Sequence, residues 1–311
     1  MKFLSVVSPC YNEQDNIEEL YRRVKAVMDS LDGYTYEHII IDNASTDNTV
    51  KILKGLAEQD KNLKVIVNSR NFGHIRSPYH GLMQASGEAV IYLASDLQDP
   101  PEKIPEFIKK WEEGYKIVLA VKTESEESPL MFILRKMYYD FIDKISGSEI
   151  GMVKNSTGFG LYDKKILDIV REVKDPYPYF RGLICEIGFE KAIIEFAQPS
   201  RKRGITKNNF YTLYDIAMLG ITSHTKVPLR LATIGGFLLA AASLGVALGY
   251  LIAKLIFWQY FSMGTAPLLI GIFFFGSVQL FFTGLIGEYI AATHTQVLNR
   301  PVVVEKERIN F

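Results

Sequence analysis

Two cysteines, Cys10 and Cys185, are the only thiols in 311 residues. Neither has a partner at zinc-ligand or redox spacing, which removes a disulfide framework and a cysteine metal centre from consideration. Both are read as buried thiols of a reduced, cytosolic domain. A net charge is missing too, since 35 acidic and 35 basic side chains cancel. A general nucleic-acid binder carries a basic excess, so nucleic acid is not an expected partner. Neither G-x-G-x-x-G nor G-K-[ST] follows the first apolar run, which disfavours a dinucleotide dehydrogenase and a kinase. H-E-x-x-H and a serine nucleophile elbow are also lacking. The five histidines are scattered and read as structural or surface residues.

What the chain does have is two stretches without any charge, Leu231 to Ala253 and Pro267 to Gly287. Crossing a bilayer's hydrocarbon core takes roughly 20 apolar residues, and each stretch is long enough. Lys226 and Arg230 precede the first; Arg300, Lys306 and Arg308 follow the second. The connector from Trp258 to Thr265 is uncharged and carries Trp258 and Tyr260 as interface anchors. The positive-inside rule then predicts a multi-pass protein of the plasma (inner) membrane, with both chain ends cytoplasmic. The opening MKFLSVVSP is too short an apolar run for a cleaved export signal and breaks at Pro9. The predicted division is a cytosolic domain over 1–207, a juxtamembrane amphipathic segment over 208–228, a two-helix anchor over 229–292 and a cytosolic tail over 293–311. Ser277, Gln279 and Thr283 are candidates for polar contacts between copies in the membrane, so a homo-oligomer is expected.

The first 121 residues alternate apolar runs with helical patterns. Leu4–Ser8, His38–Ile41, Leu63–Val67, Ala89–Leu93 and Ile117–Val121 read as buried strands. Helices are predicted near 14–31, 48–59, 75–86 and 102–113, the last opened by Pro100-Pro101-Glu102. This order predicts an α/β fold with a mostly parallel sheet, whose ligands bind beyond the carboxyl ends of the strands. Those ends are polar: Pro9-Cys10-Tyr11-Asn12-Glu13, Asp42-Asn43-Ala44-Ser45-Thr46-Asp47, Asn68 to His74, and Ser95-Asp96-Leu97-Gln98-Asp99. Asn, Asp, Ser and Gly explain any one such loop as turn chemistry. Four on one edge point to a site.

Further on, Leu130, Ile133, Leu134, Met137, Phe141 and Ile145 recur at helical spacing, and Phe210, Leu213, Tyr214, Ala217 and Ile221 repeat the pattern. Both are expected as amphipathic helices, the second lying at the membrane interface. Between them Arg201, Lys202, Arg203 and Lys207 form a basic run within reach of anionic head groups or a lipid phosphate.

The sequence Asp96-Leu97-Gln98-Asp99 at a strand end suits Mg2+ or Mn2+ held against a diphosphate, since these ions take oxygen ligands from protein and substrate phosphates together. Taken together, the segments resemble the family-two glycosyltransferases of GT-A fold, and within them the polyprenyl-phosphate branch of bactoprenol glucosyltransferases and dolichol-phosphate mannose synthases. The resemblance rests on the four loop segments, Asp96 to Glu102 above all, on Phe180-Arg181-Gly182, on Arg201-x-x-Gly204-x-Thr206-Lys207 and on the paired apolar spans. It implies that Pro9, Tyr11, Glu13 and Asp42 hold the nucleoside, with Asn71 and Ser95 lining the same pocket. Asp96 and Gln98 would hold metal and diphosphate. Lys122, Arg135, Arg201 and Lys207 would meet donor and acceptor phosphates.

The implied reaction is inverting transfer of a hexose, glucose from UDP-glucose first, to a polyprenyl phosphate; the alternatives are mannosyl or amino-arabinosyl transfer to the same acceptor, or a non-catalytic nucleotide-sugar-binding membrane scaffold. A phosphate monoester with second pKa about 6 is mostly dianionic at neutral pH, so the acceptor needs no general base. Three positions depart from the family pattern: Ala94 stands where relatives carry an acid, Lys154-Asn155 where they carry another, and Gly160 where they carry an arginine.

Overall fold

The computed structural model describes residues 1–123, 153, 156–198, 218–219, 221, 227–257 and 265–311. Two compact units result, one of Met1–Leu213 with Leu298–Phe311, the other of Tyr214–Val297.

The first unit is built on an eight-stranded sheet in the order β7-β5-β6-β4-β1-β2-β3-β8. Its strands are β1 (Lys2–Cys10), β2 (Tyr34–Asp42), β3 (Leu63–Asn68), β4 (Ala89–Tyr92), β5 (Ile117–Lys122), β6 (Ser156–Asp163), β7 (Lys191–Phe196) and β8 (Glu305–Ile309). β1 pairs in parallel with β2 and β4, β2 with β3, and β5 with β7. β6 runs antiparallel to both β4 and β5, and β8 antiparallel to β3. Helices α1 (Ile17–Asp29), α2 (Thr49–Gln59), α3 (Gly73–Gln84) and α4 (Ile104–Glu112, after a 3-10 turn over Pro101–Lys103) connect the first five strands. α5 (Lys164–Glu172) and α6 (Phe180–Glu186) separate β6 from β7.

Alternation along the strands feeds two cores. Leu4, Val6 and Ile40 pack on one face with Leu20, Val24 and Phe107, while Val7, Ile39 and Ile41 pack on the other with Leu82, Tyr162 and Ile166. A strand buried on both faces reads as a continuous apolar run, which is why the first five were visible in the sequence.

β6 carries the explanation of one departure. A Cβ added to Gly160 would lie 2.1 Å from the carbonyl oxygen of Val118 on β5. No side chain fits there, so glycine at 160 is a packing requirement of this sheet. Asp163 ends the strand and caps α5, accepting from the Lys165 N–H at 2.9 Å, from Trp111 Nε1 at 2.7 Å and from Lys116 Nζ at 2.8 Å.

The residues after 298 do not form the predicted separate tail. They re-enter the first unit and add β8 to the sheet. Glu307 pairs with Lys54 at 2.7 Å, and the Asn310 amide donates to the carbonyls of Ala57, Asp60 and Leu63 at 2.7–3.2 Å.

The second unit contains α7 (Val227–Ile256) and α8 (Thr265–Leu298). Both are long and apolar enough to cross a bilayer, with windows of mean hydropathy 1.7 and 1.4 that are unburied in the molecule. The Ser277 and Thr283 hydroxyls donate to the Phe273 and Gln279 carbonyls of their own helix at 2.8 Å. The helical pattern of 130–145, most of that of 210–221, the basic run 201–207 and most of the connector lie outside the described residues, as do positions 154 and 155.

Candidate active site

Parallel pairing brings the carboxyl ends of β1, β2, β3 and β4 to one edge. β5 joins them, because two antiparallel pairings through β6 restore the direction of β4. The predicted residues Pro9, Tyr11, Glu13, Asp42, Asn71, Ser95, Asp96, Gln98 and Lys122 therefore belong to strand ends or loops of the same edge. Arg135, Arg201 and Lys207 lie outside the described residues.

The loops are locked by side chains rather than by ladder hydrogen bonds. The Asn12 N–H donates to Ser45 Oγ at 2.8 Å, and Asn12 Oδ1 accepts from the Thr46 N–H at 2.7 Å. The Glu13 N–H donates to Thr49 Oγ1 at 2.9 Å, and Glu13 Oε2 accepts from Asn16 Nδ2 at 2.7 Å. Burial pushes the Asp47 carboxyl up, but Thr49 and the Gln14 N–H outweigh it and hold the group below its ordinary range.

Asp42 is fully buried at the end of β2. Its carboxylate accepts from the Ser45 N–H at 2.9 Å, from the Ser45 hydroxyl and from the Cys10 thiol at 3.6 Å. Burial raises its pKa, opposed by Ser45. Burial and the adjacent Asp42 push the Cys10 thiol up, so it stays neutral.

Asn43 is a hub that the sequence showed only as one more turn residue. Its amide nitrogen donates to Asn71 Oδ1 at 2.9 Å and to the Gly73 carbonyl at 3.1 Å. Its oxygen accepts from Asn68 Nδ2 at 3.2 Å and from the Phe72 N–H at 2.8 Å. All four of its hydrogen-bonding positions are used, so Asn71 is presented by a saturated, buried amide.

The loop after β4 is wound tightly. Leu97 is buried with φ +61, in the left-handed region that strains a non-glycine residue. Asn12 (φ +56) and Ala44 (φ +62) take the same conformation in the β1 and β2 loops. Asp96 Oδ1 accepts from the Gln98 N–H at 3.2 Å, and Asp99 Oδ2 turns back to the Ala94 N–H at 3.0 Å. Burial lifts the Asp99 carboxyl to about 7; the Ala94 N–H and Lys122 oppose this, and Asp96 adds to it. Ala94, one of the three departures, thus serves through its backbone.

Arg181 of the Phe-Arg-Gly segment reaches the same edge, donating to the Ser156 carbonyl at 3.2 Å; burial and then Asp99 raise the Tyr92 hydroxyl's pKa, and Arg181 opposes them without reversing the rise. Lys122 and Arg181 thus bring positive charge to the side of the edge that holds Asp96 and Asp99. Among the described residues no group of three His, Cys, Asp or Glu side chains forms a metal cage. The oxygen donors this loop offers to an ion shared with substrate phosphates would be the Asp96 carboxylate and the Gln98 amide carbonyl.

Residues 5–170 match the model for glycosyl transferase family 2. The chain is 35% identical over 300 residues to an uncharacterized glycosyltransferase of Synechocystis, spanning 96% of this chain and 93% of that one. It is 32% identical over 305 residues to a bactoprenol glucosyl transferase of Shigella phage SfII, spanning 98% and 97%. Among solved structures, a glucosyl-3-phosphoglycerate synthase from Mycobacterium tuberculosis overlaps 71% of this chain and 76% of its own at 16% identity and a TM-score of 0.48. So loose a likeness says nothing of what this chain binds. The family model spans the strands, loops and α/β layers that build the edge just described, and the chain belongs to glycosyl transferase family 2.

Proposed function

We propose that the protein transfers glucose from UDP-glucose to a polyprenyl phosphate at the cytoplasmic face of a membrane, with inversion at the sugar. The observation that carries this reading is the near end-to-end similarity to bactoprenol glucosyl transferases, apolar helices included. The re-entry of the chain after α8 supports the topology. Residues before 213 and after 298 share one sheet, so two crossings leave both chain ends on one side.

In this reading Pro9, Tyr11, Glu13, Asp42, Asn71 and Ser95 form the nucleoside end of the site. Asn43 fixes Asn71, and the strained Asn12 and Ala44 hold the β1 and β2 loops in register. Asp96 and Gln98 would hold Mg2+ or Mn2+, an ion that would supply positive charge against the departing diphosphate. Lys122 meets the donor phosphates, with Arg135, Arg201 and Lys207 drawing in the acceptor phosphate. The acceptor's phosphate oxygen forms the new bond to the anomeric carbon as the bond to the UDP oxygen breaks and its electrons leave with UDP. The acceptor is already ionised, so positioning and cationic screening carry the step.

The test uses the purified full-length protein in lipid with radiolabelled UDP-glucose and undecaprenyl phosphate. Lipid-extractable label that disappears with chelator supports the proposal, and UDP binding without transfer overturns it. Other nucleotide sugars in the same assay settle the donor. Arg201→Ala with Lys207→Ala raises the acceptor concentration needed more than the donor concentration. An unchanged acceptor curve removes the basic run from the site.

A further inference from the structure

A cleft of about 440 Å³ opens between α3, the end of α5 and the strap of residues 299–302 that leads from α8 to β8. It shares no residue with the donor site, and its volume lies in the range of small-molecule sites. Tyr79, Met83 and Pro301 give it apolar walls. Two of its basic side chains are already committed. Arg171 donates to the Met83 and Ala85 carbonyls at 3.3 and 2.7 Å and pairs with Asp168, and His80 pairs with Glu305. Two are not: Lys174 at the end of α5 and Arg300 in the strap are exposed, and neither has an ion pair or hydrogen bond among the described residues. Asp175, the one carboxylate on the lining, accepts the Tyr177 N–H at 2.8 Å.

We propose that this cleft binds the phosphate of an organic phosphoester, supplied by the head group of an anionic phospholipid. Two unpaired cations from different walls, beside apolar surface, suit an anion that carries an organic part. Head groups are the nearby source because the strap follows directly on α8, the helix apolar enough to span a bilayer. That source rests on the membrane reading above; the phosphate chemistry of the cleft does not.

The full-length protein is placed in phosphatidylcholine nanodiscs with and without phosphatidylglycerol, and retained lipid is counted by native mass spectrometry. Wild type retains phosphatidylglycerol preferentially. Lys174→Gln with Arg300→Gln lowers that retention about thirty-fold, from roughly 1 kcal/mol per cation near a charged surface. Lys174→Arg with Arg300→Lys restores it, which separates lost charge from lost folding. Equal retention by wild type and the double glutamine variant overturns the proposal. Saturable binding of soluble glycerol phosphate without any lipid preference overturns the lipid source and leaves a soluble phosphoester as ligand. None of these readouts depends on sugar transfer.

Discussion

Polar side chains do opposite work in the two units. At the carboxyl edge of the sheet they reach far along the chain: Asn12 to Ser45 and Thr46, Glu13 to Thr49, Asn43 to Asn68, Asn71 and Phe72. In α7 and α8 the hydroxyls of Thr233, Ser277, Thr283, Thr293 and Thr295 bond the carbonyl four residues back in their own helix. The large apolar residues of these helices are outward, with Phe237 72% and Leu280 74% exposed. Local satisfaction of this kind is what a helix would need in hydrocarbon, where no water is present to bond its polar groups. A segment made to hold a ligand uses the same groups to fix loops that have no ladder of their own.

The contrast can be broken most severely at Asp96. Asp96→Asn is expected to cut lipid-linked transfer at least about 100-fold with the circular dichroism spectrum unchanged, the scale of losing a preorganised electrostatic contact to the transition state. Asn43→Ala, which deserts four partners, two of them (Asn68 and Phe72) buried, should cost about 2–4 kcal/mol in denaturant unfolding and raise the UDP-sugar KM more than it lowers kcat.

Asp163 sharpens the comparison through pH. Burial pushes its carboxyl up, but Lys116, Trp111 and the Lys165 N–H outweigh this and hold it below the ordinary value. A carboxyl depressed in the folded state stabilises the protein above its unfolded pKa of about 4 and stops doing so as the pH falls through the folded value. Asp163→Asn should therefore cost about 1–2 kcal/mol at pH 7, and the gap to wild type should shrink in melts taken below pH 4.

Ala44→Gly relieves a left-handed backbone at φ +62 and is expected to change stability by less than about 1 kcal/mol, in the stabilising direction. Smallest of all, Thr283→Val should leave stability and assembly within about 0.6 kcal/mol of wild type, since among the described residues its hydroxyl serves its own helix. A large loss there would mean that the hydroxyl works between copies after all.

How much of this was legible depended on what each element buries. β1 to β5 announced themselves as Val- and Ile-rich runs, and α1 to α4 fell close to their predicted bounds. β6 hid because its sequence, Ser-Thr-Gly-Phe-Gly-Leu-Tyr-Asp, breaks the apolar run with glycines, one of them forced by the Val118 carbonyl. β8 hid because Glu-Lys-Glu-Arg-Ile has a single apolar residue; it is held by ion pairs and by Asn310, as suits a sheet edge that must not aggregate. In the site, the motif positions could be assigned by resemblance. The hub role of Asn43 and the inward turn of Asp99 to Ala94 could not, because both depend on loops brought together only by the folded sheet.

The placement of β8 sets a timetable for synthesis. The edge of β3 waits for residues 305–309, which follow both apolar helices in the chain. Until β8 is made the sheet carries an open border along β3, and a chain cut after residue 300 lacks the strand that covers it.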